Sequence, residues 1–246
     1  MKFDRKIYFD ALRKWPFGGS LSQQQVDGQN AILDRWEKEP LGDDLRWLAY
    51  PLATTLHETA STMWPIEEHG KGAGHSYGVP DPETGQTYYG RGYIQLTWRD
   101  NYARAANELD LTLGDDLEWH ADRALDPAIA ADVMFIGMAE GWFRHDNAGK
   151  PETLARYFND DVDDPYGARE IINGDKTVVP GWSDGVSIGK LIAGYHDQFL
   201  AALVASAVEG PASELPPEPE TETITFRLTI AVTVPRGSTV KVIEPI

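Results

Sequence analysis

The segment spanning residues 128–143 is apolar on nearly every side, with Ile129, Ala130, Val133, Met134, Phe135, Ile136, Met138, Ala139, Trp142 and Phe143 spread around one helix. A soluble chain can hold such a helix only by covering it completely. Asp126-Pro127 ahead of it reads as a cap followed by proline in the first turn. The rest of the chain must therefore build a shell around this element, and 246 residues at 41% hydrophobic content suffice for that. The sequence predicts that 128–143 is the central buried helix.

The shell is predicted to be mostly helical. Apolar residues at helical spacing mark helices over 3–15 and up to about 38, the second opened by a cap and capping box within Ser20-Leu21-Ser22-Gln23-Gln24-Gln25. Asp43-Asp44 can cap a helix over about 45–63, in which Pro51 forecasts a kink or restart. Residues 64–86, with five Gly and three Pro, read as a long ordered loop. Thr97 can cap a helix over 98–109, 113–124 is loop, and further helices are expected over 153–158, 166–173 and 184–208.

Composition changes after 208. Residues 209–222 hold four Pro and five Glu with no Lys or Arg, and read as a stiff linker. Residues 223–246 alternate Ile224, Phe226, Leu228, Ile230, Val232 and Val234 with polar residues, turn at Pro235-Arg236-Gly237-Ser238, and read as a β-hairpin. Two strands alone are marginal in water, so this hairpin must pack on the helical domain, on a copy of itself or on a partner. The expected organisation is a helical domain over 1–208, a linker over 209–222 and a hairpin tail over 223–246.

The net charge of −17 argues against nucleic acid as the main partner and against docking on an anionic membrane, while leaving neutral polymers such as glycans open. No run approaches the roughly 18 apolar residues of a membrane span, so no membrane insertion is expected. The absence of cysteine excludes disulfides and Cys-based zinc sites. The spacing of His57, His69 and His75 fits no familiar ligand pattern, so neither a metal nor another cofactor is expected. No apolar stretch follows Met1-Lys2-Phe3-Asp4-Arg5-Lys6, so no signal peptide is expected.

Candidate chemistry concentrates between residues 51 and 97. Glu58 falls near the edge of the apolar stripe of its helix, where apolar neighbours would desolvate it and suit it to general-acid work. Taken alone, a lone Glu there is more often a surface or salt-bridge residue. Glu67-Glu68 in the following loop offers a second carboxylate able to activate water, or simply a solvated pair. Inverting glycoside hydrolysis needs two carboxylates about 6.5–9.5 Å apart with room for water between them. Thr97 could orient that water. Arg91 between Gly90 and Gly92 reads as a structural guanidinium. The aromatic cluster of Trp64, Tyr88, Tyr89, Tyr93 and Trp98 is either core or sugar-stacking surface.

Four motifs appear in the order seen in glycoside hydrolase family 19: His57-Glu58-Thr59, Tyr89-Gly90-Arg91-Gly92-Tyr93-Ile94-Gln95-Leu96-Thr97, Asn101-Tyr102 and Arg169-Glu170-Ile171-Ile172-Asn173-Gly174. Over about residues 5–205 the chain resembles that family of chitinases and phage-type endolysins. The Pro65-Ile66-Glu67-Glu68-His69-Gly70 loop looks closer to the endolysin branch. The resemblance implies a mainly α, bilobal lysozyme-like fold with no cofactor. It also implies Glu58 as general acid, Glu68 or Glu67 as general base with the balance towards Glu68, and Thr97 as holder of the nucleophilic water. Gln95, Asn101 and Asn173 match substrate-contacting positions and Arg91 the cleft floor, with His57 and Tyr102 as further substrate-side residues of the motifs. The chain departs from plant chitinases in its lack of Cys, its short 60–90 loop and Tyr93 where proline is common, which weighs against chitin. Peptidoglycan glycan strands are thus the expected substrate, with chitin oligomers as the alternative and a non-catalytic glycan-binding or virion component as another. A phage-type endolysin is made in the host cytoplasm and reaches the cell wall after release, and that location is expected here.

Overall fold

The structure, a computed structural model, describes residues 1–111 and 116–208. The expected linker over 209–222 and hairpin over 223–246 lie outside the described residues, as do 112–115 of the expected 113–124 loop.

The described chain is mainly helical. Helix α1 (Arg5–Arg13) is capped by Asp4, whose carboxylate accepts from the Ile7 N–H. Helix α2 (Gln23–Lys38) opens on Ser22 with a complete capping box to Gln25. Helix α3 (Arg46–Glu58) runs through Pro51 without the expected restart, and every residue from Leu48 to Leu56 is buried. Asp44 accepts from the Arg46 N–H at its start, at 2.9 Å. Helix α4 (Arg99–Glu108) follows a turn. Helix α5 (Pro127–Glu140) begins at Asp126, which accepts from two backbone N–H groups, and ends at Gly141 in the left-handed region. Helix α6 (Leu154–Tyr157) is a single turn, and α7 (Ile188–Ser206) closes the domain.

As the apolar pattern demanded, α5 is central: Ile129, Val133, Met134, Phe135 and Met138 are all buried. It shares that role with α3, where even Thr54 and Thr55 are buried. The Thr55 hydroxyl donates to the Met134 sulfur at 3.2 Å. Helix α3 packs on α7, α7 on α1, and α2 on α5.

Two short antiparallel ribbons complete the domain. One pairs β1 (Lys2–Phe3) with β4 (Ala207–Val208), tying the two ends of the described domain together. This trims one end of each of the expected 3–15 and 184–208 helices, since Phe3 and residues 207–208 pair with each other instead of extending them, and the helices also stop at Arg13 and begin at Ile188. The other pairs β2 (Ile66–Glu67) with β3 (Arg91–Gly92), in the register Ile66↔Gly92 and Glu67↔Arg91. The expected 166–173 helix is a 3-10 turn over Gly167–Ile171. Among the described residues no helix is long and apolar enough to cross a membrane.

Candidate active site

Glu58 is the last residue of α3, where the chain leaves the core. The turn that follows is fixed by Thr59, whose buried hydroxyl donates to the Thr55 carbonyl (2.7 Å) and accepts from the Met63 N–H (3.0 Å). Ala60, Ser61 and Met63 all take positive φ, an uncommon backbone for non-glycine residues. The Glu58 side chain retains only 16% exposure.

The apolar surroundings expected for Glu58 are only part of its environment. Arg169, 2% exposed on the 3-10 turn, donates through Nη1 to Glu58 Oε1. The same guanidinium reaches Asp175 through Nε (2.6 Å to Oδ1) and Nη2 (3.0 Å to Oδ2). Burial pushes the Asp175 carboxyl up, but the bonds and charge of Arg169 outweigh it and hold Asp175 below the usual carboxylate range. Asp175 thereby balances the charge of Arg169, so Glu58 does not face an unopposed cation. Glu58 Oε2 has no hydrogen-bond partner among the described residues.

The opposite wall is the segment after β3. Arg91 and Leu96 exchange backbone bonds (3.1 and 2.8 Å), forcing a tight turn in which Gln95 sits at φ 57°. Trp98 follows at φ 76°, and such backbone in bulky residues clusters at functional sites. A Cβ at Gly90 would lie 2.9 Å from Gln95 Oε1 and 3.2 Å from its Cβ, so a larger residue there would have to displace the Gln95 side chain. Gln95 Nε2 donates to the Ile66 and Gly92 carbonyls, Thr97 Oγ1 donates to the Gln95 carbonyl (2.8 Å), and Asn101 Nδ2 donates to the Thr97 carbonyl (2.8 Å). Thr97 is therefore not the expected cap of α4. Its hydroxyl is committed to the turn, and the cap position falls to Trp98 without a side-chain bond.

Between these walls lies an open pocket of about 350 Å³ lined by Glu58, Gln95, Thr97, Asn101 and Asn173, together with Tyr77, Ile94, Leu96, Trp98, Phe143 and Ile172. The Asn173 N–H donates to the Arg169 carbonyl (2.9 Å), so the turn that buries Arg169 also delivers Asn173.

Five of the predicted site residues thus line one pocket, and five do not. Glu68 adjoins it: its carboxylate accepts from the Gly90 N–H (3.1 Å) and from the hydroxyl of the pocket residue Tyr77 (3.4 Å). Glu67 instead accepts from Lys71 (2.6 Å) and Tyr89 (2.6 Å), and those bonds, Lys71 first, hold it below the usual carboxylate range. Arg91 is buried beneath the Tyr89 ring (3.7 Å to its centroid) and donates to Tyr102 (3.1 Å). Tyr102 is fully buried and donates to the Tyr89 carbonyl (2.8 Å), so both brace the floor from below and do not reach the pocket. His57 lies outside the pocket against Trp182, and burial keeps its ring below the usual imidazole value.

The residues missed as site members are Arg169, Asp175, Tyr77 and Phe143. Arg169 stood inside a recognised motif, but its partner Glu58 is 111 positions away. Tyr88, Tyr89 and Tyr93 of the aromatic cluster are core, whereas Trp98 is exposed at the pocket. Among the described residues no group of His, Asp and Glu converges to hold a metal.

No protein-family model and no curated protein matches the chain. Solved structures do. A mutant of chitinase C is 21% identical, with 85% of this chain and 95% of that one covered at a TM-score of 0.50. Chitinase C from Streptomyces griseus HUT6037 is 20% identical over 83% and 93%, with a TM-score of 0.49. A class IV, family GH19 chitinase from Zea mays is 18% identical over 82% and 92%, with a TM-score of 0.46. The first of these likenesses shows the class of fold: mainly α and lysozyme-like, as in that chitinase.

Proposed function

We propose that the protein is an inverting glycosidase that cleaves β-1,4 linkages in the glycan strands of peptidoglycan. The observation that carries this reading is Glu58: a carboxylate delivered by the end of a buried helix into an open polar pocket, held through one oxygen by a buried guanidinium, with the other oxygen unpartnered among the described residues. In the reaction Glu58 gives its proton to the glycosidic oxygen as the bond from the anomeric carbon to that oxygen breaks. Water attacks the opposite face of the sugar and loses a proton to a second carboxylate.

Glu68 is favoured as that base over Glu67. Glu68 borders the pocket through Tyr77 and carries only two neutral donors, whereas Glu67 is tied to Lys71 and Tyr89. Thr97 donates to the Gln95 carbonyl, so its oxygen lone pairs remain to accept from water and turn it towards the anomeric carbon. Gln95 and Asn101 spend their amide N–H groups on backbone carbonyls. Their side-chain oxygens are left to accept from sugar hydroxyl and acetamido groups, and Asn173 supplies a further amide across the pocket.

Chitin is the second reading, favoured by the chitinase identity of the like-folded structures. The lack of Cys, the short 60–90 loop and Tyr93 favour peptidoglycan. Mass spectrometry of digests separates them: fragments from purified peptidoglycan, with the sugar at the new reducing end identifying the bond, support the first, and turnover of chitin oligomers alone supports the second. Release of fragments from neither would leave only a glycan-binding or structural role. Glu68→Gln should abolish turnover while Glu67→Gln retains most of it, and the reverse pattern would exchange the two roles. We further propose that residues 223–246 mediate self-association, from their strand pattern alone; an unchanged elution volume on size exclusion after their deletion would reject it.

A further inference from the structure

The loop between Asp175 and Ile188 takes no part in the chemistry above beyond Asp175, yet it presents apolar surface to solvent. Trp182 is 66% exposed, more than any other large hydrophobic residue described, and Val178 and Val179 in the same loop are about half exposed. An isolated exposed valine needs no explanation, but a cluster around an indole does. The loop is firmly built. Ile188 N–H donates to the Val178 carbonyl (2.9 Å), Gly189 N–H to the Lys176 carbonyl (3.0 Å), Ser183 N–H to the Pro180 carbonyl (3.1 Å) and Val186 N–H to the Ser183 carbonyl (3.0 Å). Its first residue, Asp175, is bonded twice to the guanidinium that holds Glu58. The Trp182 ring lies 6.4 Å, centroid to centroid, from the ring of His57, the neighbour of Glu58. Neither Trp182 nor His57 lines the pocket.

We propose that Trp182 is a stacking platform for a sugar ring of the glycan strand, placed outside the pocket on the His57 side of Glu58. The inference rests on the glycosidase reading and adds to it a place for the part of the polymer that a 350 Å³ pocket leaves outside. A pyranose offers an apolar C–H face and hydroxyls around its edge. An exposed indole on a rigid loop covers that face while the hydroxyls stay in water, and both partners lose apolar surface to solvent. The tie through Asp175 and Arg169 holds the platform at a fixed place relative to Glu58, so a ring bound there sets the register of the strand across the acid.

The test compares wild type, Trp182→Ala and Trp182→Phe on purified peptidoglycan strands, and repeats cosedimentation with insoluble strands in a Glu58→Gln background. The platform predicts that Trp182→Ala raises KM about fivefold to tenfold, the scale of one aromatic contact. It predicts kcat within about twofold and an unchanged thermal midpoint, Trp182→Phe restoring most of the loss, and weakened cosedimentation of the Glu58→Gln, Trp182→Ala double variant. Unchanged KM and unchanged cosedimentation would overturn it, as would a loss confined to kcat. A change in elution volume on size exclusion without a change in KM would assign the patch to a contact between copies and overturn it too. Should wild type release nothing from any glycan, the glycosidase reading falls by itself. Cosedimentation then decides the platform: binding lost in Trp182→Ala supports it, and binding retained rejects it.

Discussion

Glu58 and Asp175 share one buried guanidinium, and that sharing makes Arg169 the residue on which the site depends. Arg169→Ala leaves two carboxylates facing a cavity with no counter-charge. Unfolding in urea should show a loss of about 3–5 kcal/mol, the usual cost of removing one partner of a buried ion pair. Asp175→Asn tests the other half of the balance. Without the two bonds from Asp175 the guanidinium that holds Glu58 loses its anchor, so kcat on purified peptidoglycan should fall with the fold intact; an unchanged kcat would show that Asp175 only holds the turn. At this scale the sequence was legible where chemistry is local. His57-Glu58-Thr59 marked the pocket's carboxylate, and Gln95, Thr97, Asn101 and Asn173 do reach one pocket with it. Arg169 was not legible as the partner of Glu58, because an ion pair 111 residues apart leaves no periodicity to detect, and Asp175 enters only through Arg169. Arg91 lies under the floor, in keeping with its reading as a structural guanidinium, whereas Tyr102 shows that a motif residue bracing the floor looks in sequence like one that lines the pocket.

Helix α3 points its C-terminal residue into the pocket, so whatever fixes α3 fixes the Glu58 carboxylate. Gly28 on α2 is one such point. A Cβ there would lie 1.7 Å from the Met63 carbonyl oxygen, in the turn just after Glu58. Gly28→Ala must push α2 and that turn apart, and a loss of about 3 kcal/mol is expected, at the upper end of overpacking. A thermal melt within about 1 °C of wild type would contradict the packing described here. The helices were readable because caps and apolar spacing are local signals: Ser22 and Asp126 open their helices from within the stretches read as caps, whereas α5 stops at Gly141, short of the expected 143. The β1–β4 and β2–β3 ribbons were not, since two-residue strands have no alternation to read. The turn over 91–98 also escaped, because Gln95 and Trp98 hold positive φ only through tertiary bonds that no propensity reports.

At the scale of the whole domain two desolvated histidines, His57 half-buried and His196 buried, add a pH dependence to stability near neutrality. Burial lowers both His57 and His196 from the ordinary value of 6.5, and His196 stacks on Phe158 at 5.2 Å with Nε2 unpartnered. Both are held neutral in the folded state, so their contribution is complete above pH 6.5 and shrinks as pH falls from there towards their lowered folded values, where the unfolded chain binds protons the folded one refuses. The thermal midpoint should therefore fall between pH 7 and pH 5, and His196→Phe should flatten that fall. The charge of −17 opposes approach to an anionic cell wall. Raising ionic strength from about 0.01 M to 0.15 M shortens the screening length from about 30 Å to about 8 Å and should accelerate clearing of cell-wall suspensions. The central claim, that Glu58 is the acid of a glycan hydrolase, is tested most directly by release of new reducing ends from purified peptidoglycan. Wild type should release them, and a Glu58→Gln protein with an unchanged thermal midpoint should release none. A folded Glu58→Gln protein that releases them at the wild-type rate would contradict the account.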